Sequence, residues 1–164
     1  DWDFVDTCWE KESREYQYVV ANYLKAMQSY LKDSDLPKLE QLVVTKSWWD
    51  TVDILDRVVG SLVYEKQELE KIILQWSLSD NIWLRRVAID HQLLRKEKTN
   101  VQLLEKILLH NLNQTEFFIN KAIGWALRDY SKTNPAWVAC FIEKNKKRMA
   151  ELSIKEASKY LSHH

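Results

Sequence analysis

Trp49 and Asp53 are four positions apart, a spacing that places two side chains on one face of a helix. An indole face favours a positively charged partner through its ring quadrupole, and a carboxylate favours one through its charge. A second set is mostly basic. Thr51, Arg86 and Lys121 recur at intervals of 35 residues, so stacked repeats would line them up as a ladder across successive helices. Trp125 follows Lys121 by four positions and Arg128 follows it by seven. A ladder of this kind fits phosphate contact, with Arg86 its strongest member. Each residue also has a plainer reading. Asp53 alone fits a solvated or ion-paired carboxylate, Trp49 and Trp125 fit core positions, and the basic residues fit solvated helix faces.

Other chemistries find little support. His91 and His110 have no Cys, Asp or Glu partner at zinc-ligand spacing, so neither a metal nor a cofactor is expected. Cys8 and Cys140 form no CxxC pair and read as two free thiols in a reducing cytoplasm. Gly60 and Gly124 each stand alone, which leaves no glycine-rich phosphate loop. The longest apolar run, Ala136 to Ile142, falls far short of the roughly 20 residues of a membrane span. The net charge of zero argues at first against nucleic acid. It is a sum of opposites, however. Residues 1–80 hold 9 basic and 16 acidic residues, whereas residues 81–164 hold 15 and 8.

These residues must be positioned by helices. Two glycines and two prolines in 164 residues are far fewer than the about 20 of average usage, and sheets need them for turns. Helical periodicity runs almost unbroken. Tyr16, Val20, Tyr23 and Met27 form one expected core stripe. Helices are predicted over 37–44, from an N-cap at Ser47 to about Tyr64, and near 66–77, 81–96, 100–111, 115–130, 134–145 and 152–162. Asp50 completes a box-like start after Ser47, and Asn81, Asn100, Asn113 and Asn134 punctuate later starts.

The pattern repeats. Trp48, Trp83 and Phe118 are each 35 residues apart, and the apolar Val52, Val87 and Ala122 follow them by four positions. This period predicts stacked helical hairpins of the HEAT-like kind, each burying one face on its neighbours. In that register Trp48 joins a core column with Val52, Leu55 and Val59. Trp49 lies about 100° around the helix, with Asp53 and Asp56, on a face the core does not claim. Trp2, Trp9, Trp76, Trp83 and Trp137 are expected to pack.

Three motifs carry a resemblance. Ser47-Trp48-Trp49-Asp50-Thr51-Val52-Asp53, Asn81-Ile82-Trp83-Leu84-Arg85-Arg86, and Glu116-Phe117-Phe118-Ile119 followed by Lys121-Ala122-Ile123-Gly124-Trp125-Ala126-Leu127-Arg128 are similar to those of the AlkD-like DNA alkylation repair glycosylases. Ser131 to Pro135 and Leu152 to Ala157 continue the match, which spans roughly residues 9–162. The resemblance implies an all-α superhelical solenoid of HEAT-like hairpins. It implies a hydrolase that removes positively charged N3- and N7-alkylated purines from double-stranded DNA, without turning the base into a pocket; a monomer is expected. Asp53 would be the catalytic carboxylate and Trp49 and Trp125 its aromatic walls. Arg86, Lys121, Arg128 and Thr51 would face the DNA backbone. The 164 residues are expected to be one such domain lacking N-terminal helices of the full family fold, and His163-His164 the stub of a purification tag. The second reading is a helical-repeat module that binds DNA or protein with weak catalysis or none. Periodicity and charge do not separate the two.

Overall fold

The structure, a computed structural model, describes residues 1–161. The expectations for His163 and His164, and for the last residue of the final predicted helix, fall outside these. Among the described residues the chain forms ten α-helices and no strand. Its described residues pack as two compact units, one of residues 1–70 and one from residue 71 onward.

The first unit holds α1 (Trp2–Trp9), α2 (Arg14–Ala26), α3 (Leu36–Val44), α4 (Trp49–Val63) and the start of α5 (Gln67–Trp76). α4 packs on α2 and α3, and α1 packs on α2. The sequence reading misses α1, which buries Val5 and Trp9. It also misplaces the buried face of α2. That face is Gln17, Val20, Ala21 and Leu24, while Tyr16 and Met27 are exposed. Gln17 can be buried because its Nε2 donates to the carbonyls of Trp9 and Lys11, at 2.9 and 3.1 Å. Hydrophobic periodicity has no means of counting a buried amide as core.

α4 buries Val52, Leu55 and Val59 as its register predicts. Trp48 does not join them and is 48% exposed. α6 and α8 begin 35 residues apart, at Ile82 and Phe117, but α4 begins at Trp49, two residues later than that period requires. Trp48 therefore sits outside the helix with extended backbone. Asp56, expected on the uncommitted face, is buried.

The second unit holds the rest of α5, then α6 (Ile82–Asp90), α7 (Val101–His110), α8 (Phe117–Ser131), α9 (Pro135–Asn145) and α10 (Glu151–Ala157). Asn81, Asn100 and Asn134 cap α6, α7 and α9 as predicted, each accepting from backbone N–H groups of the first turn. Such a cap is worth about 1 kcal/mol. Asn113 does not cap. It takes a left-handed φ of 62° in the preceding turn, and Glu116 caps α8 instead. The helix expected over 81–96 stops at Asp90. Leu94 and Lys96 turn left-handed, and Leu94 gives its N–H to Asp129 Oδ2 at 2.9 Å. A bond to a distant helix thus replaces the next intrahelical one.

α8 is the centre of this unit, touching α6, α9 and, most extensively, α10. The repeat aromatics Trp83 and Phe118 meet across α6 and α8 with ring centroids 4.9 Å apart. Trp137 packs between Tyr130 and Phe141. Gly124 brings α10 close: a Cβ there would fall 2.7 Å from Glu156 Cβ and 3.3 Å from the Ser153 carbonyl oxygen. Trp9, Trp76 and Trp83 are buried, and Trp2 is half-buried with its indole N–H on Asp35 at 3.1 Å. Cys8 and Cys140 are free thiols. Among the described residues no helix is long and apolar enough to cross a membrane.

Candidate active site and nucleic-acid interface

The first turns of α4 present the aromatic–carboxylate pair. Trp49, the first helical residue, is 50% exposed, and Asp53 one turn later is half-buried. The buried stripe of Val52, Leu55 and Val59 fixes the rotation of the helix, so both residues point off the core. The turn beneath them is held by ions. Arg14 on α2 donates from Nε to Asp50 Oδ2 at 3.1 Å and from Nη2 to Asp50 Oδ1. Its Nη1 reaches the Lys46 carbonyl at 2.7 Å, and Nη2 also reaches Thr51 Oγ1 at 3.1 Å. Tyr18 donates its hydroxyl to Asp50 at 2.7 Å, and Asp50 accepts the Thr51 N–H at 2.8 Å. The Arg14 guanidinium holds the Asp50 carboxyl below its ordinary value, against the opposing cost of partial burial. Asp50 in turn raises both Arg14 and Tyr18.

On α8, Trp125 is half-buried and faces cations. The Arg86 guanidinium carbon lies 5.2 Å from its ring centroid and Lys121 Nζ lies 5.8 Å from it. Two rungs of the expected ladder thus meet at one indole. Arg86 itself is 2% exposed and donates from Nη1 to the Phe118 carbonyl at 2.6 Å. Lys121 and Arg128, one helical face apart by seven residues, share a single carboxylate from α10. Lys121 Nζ is 2.9 Å from Glu156 Oε1 and Arg128 Nη1 is 3.0 Å from Glu156 Oε2. The Lys121 ammonium holds the Glu156 carboxyl below its ordinary value, with Arg128 adding to the effect.

The predicted residues therefore separate by environment. Trp49 and Asp53 share a face of α4, and Arg86, Lys121, Arg128 and Trp125 form a connected set on α6 and α8. Thr51 is placed differently from its expectation. It is 1% exposed and its hydroxyl accepts from Arg14, so it faces the fold and not a backbone phosphate. Ser47 is not the N-cap; its hydroxyl donates to the Val43 carbonyl at 2.5 Å, and Asp50 turns toward Arg14 instead of closing a capping box. Sequence reasoning missed Arg14 and Glu156. Each binds residues 28 to 37 positions away, and no local pattern announces a pairing at that range.

The family model described as DNA alkylation repair enzyme matches residues 1–161. The chain belongs to that family. Repair of alkylated DNA is the function this membership supports. The structure superposes on a predicted DNA alkylation repair enzyme from Enterococcus faecalis with a TM-score of 0.90 and 36% identity, covering 99% of this chain and 76% of that one. It also matches AlkD2 from Streptococcus mutans, with a TM-score of 0.76 and 18% identity over 96% of this chain and 79% of that one. At that identity the likeness is one of fold, the helical-repeat solenoid of AlkD-type proteins. No curated protein matches the chain.

Proposed function

We propose that this member of the family is a DNA glycosylase that hydrolyses the N-glycosidic bond of positively charged N3- and N7-alkylated purines in double-stranded DNA. The observation that carries the reading is the first two turns of α4: a half-exposed indole and a carboxylate, one turn apart and turned away from the packed stripe. An alkylated purine already carries its positive charge, so it departs as a neutral base without a general acid. One carboxylate then suffices where ordinary glycosidases need two. As the bond breaks, positive charge passes to the sugar as an oxocarbenium ion. Asp53 stabilises that charge and orients the water that adds to C1′ with loss of a proton. Trp49 contributes a cation–π face of about 0.5–2 kcal/mol. Trp125 is assigned the second aromatic wall by its match to the family motif. Lys121 and Arg128 meet phosphate, and Arg86, buried behind Trp125, contributes its field.

The test is base release from duplex DNA containing N7-methylguanine. Wild type is expected to release the base, and Asp53→Asn to lower the rate by about 10²-fold or more, the scale of removing one fixed transition-state charge partner. No release by wild type overturns the enzyme reading, and DNA binding without release would make the chain a helical-repeat binding module.

A further inference from the structure

The turn that presents Trp49 and Asp53 is built differently from its counterparts. In α6 and α8 the caps are Asn81 and Glu116, 35 residues apart, and their side-chain oxygens accept first-turn N–H groups. The same register position before α4 is Lys46, which has no acceptor to offer. Lys46 takes a left-handed φ of 52° and sends its Nζ back to the carbonyls of Trp9 and Lys11, at 2.6 and 2.8 Å. Trp48 stands at the N-cap position, where its side chain accepts no first-turn N–H. The acceptor for the first turn comes instead from inside it, as Asp50 Oδ1 on the Thr51 N–H. Asp50 is held there by Arg14 and Tyr18 from α2.

From this we infer that Arg14, acting through Asp50, is a positioning residue for the Trp49–Asp53 pair. It ties the Lys46 carbonyl, the Asp50 carboxylate and the Thr51 hydroxyl to one planar guanidinium. Those three partners surround Trp48 and Trp49 in sequence. A fork of fixed N–H donors sets direction as well as distance, which an ammonium does not. The buried stripe of α4 sets the rotation of the helix, but Trp49 is half exposed, so packing of its own ring does little to hold the first turn in place. The guanidinium clamp takes over that task, and a displacement of about 1 Å at a reacting group can cost as much as 10²-fold in rate. The inference rests on the glycosylase reading for its activity readout but not for its structural one.

The experiment compares Arg14→Ala, Arg14→Lys, Asp50→Ala and the Arg14→Ala/Asp50→Ala double variant. Each is measured in single-turnover base release from N7-methylguanine duplex at saturating and subsaturating protein, and in hydrogen exchange at the amides of residues 50–53. We expect Arg14→Ala to slow the saturated step about tenfold or more, with half-saturation changed less than twofold. Arg14→Lys recovers only part of the rate, and the double variant is no slower than the worse single one. Amide exchange at Thr51 and Val52 speeds up in every variant while exchange in the α8 core stays slow. Weaker DNA binding with an unchanged saturated step would make Arg14 a phosphate contact and overturn the inference. Losses that multiply in the double variant would overturn it too, as would unchanged exchange at Thr51. If Arg14→Ala does not fold, Arg14→Lys and Asp50→Ala carry the same comparison. If wild type releases no base, the glycosylase reading fails, and the exchange data alone decide whether the clamp holds the turn.

Discussion

Trp49 and Trp125 are the same residue type assigned to the same task, yet their surroundings are opposite. Trp49 opens a helix, is half exposed and has a carboxylate one turn away; among the described residues no cation lies over its ring. Trp125 sits in the middle of α8, half-buried, with two cations within 6 Å of its ring centroid. An aromatic quadrupole already facing two cations has less attraction left for a third, and those cations repel an incoming positive charge. Trp49 is therefore suited to an electrostatic part in the chemistry, and Trp125 to a steric one beside a phosphate-seeking group. What an indole can do depends on the charge it already faces.

Truncating each ring separates the two roles. Trp49→Ala is expected to lower base release roughly 2- to 30-fold, the equivalent of one cation–π contact, with little change in thermal stability because the ring is half exposed. Trp125→Ala removes a half-buried ring and the shared neighbour of Arg86 and Lys121. We expect it to cost about 2 kcal/mol of stability, roughly 4–8 °C in Tm for a chain of this size. Rate and melting temperature measured on both variants decide the matter. Equal stability losses, or a rate loss confined to Trp125→Ala, would erase the distinction.

The sequence makes the helical class plain through its lack of glycine and proline and through its 35-residue period. Val52, Val87 and Ala122 are all fully buried as that period requires. Asparagine caps were legible because their bonds are local, three residues or fewer away. The misses are long-range or polar. Gln17 occupies a core position because distant carbonyls satisfy it, and Leu94 leaves its helix for Asp129, 35 residues on. Trp48 falls out of the core because the chain needs two extra residues to turn at Lys46, whose left-handed backbone no glycine foreshadows. Among the described residues the positive φ positions are Lys46, Glu65, Leu94, Lys96 and Asn113, and no glycine is among them. At the candidate site the aromatic–carboxylate pair could be read from spacing. Its clamp and the Glu156 bridge could not, since both join residues that only the packed helices bring together.

The packing of α8 on α10 can be probed without touching α4. Gly124→Ala would place a Cβ 2.7 Å from Glu156 Cβ, an atom close to the α10 backbone that cannot swing away as a side-chain tip would. α8 and α10 must then separate. The overpacking costs about 1–3 kcal/mol, against at most about 1 kcal/mol gained in helix propensity. Denaturant unfolding should show a net loss of stability, while hydrogen exchange at the α4 turn stays at its wild-type rate. A stabilised variant would mean that α10 yields easily and that the seam does not fix Glu156.

The smallest expected effect tests whether Glu156 holds the α8 cations back from DNA. The carboxylate lies 2.9 and 3.0 Å from Lys121 and Arg128, as one phosphate bridging both would. Its lowered pKa means that this contribution to stability is present above the ordinary glutamate range and is lost only as pH falls through the lower folded value. The three side chains are each about a quarter exposed, so the bridge contributes little to stability and water or phosphate can compete for it. Glu156→Gln removes the anion and keeps the shape. Stability at neutral pH should hardly move, while DNA affinity at low salt rises severalfold. The slope of log affinity against log salt should steepen by about 0.9 for each cation that gains a phosphate. An unchanged slope would mean that Lys121 and Arg128 meet no phosphate, and that the cation beside Trp125 on α8 serves the fold and not the DNA.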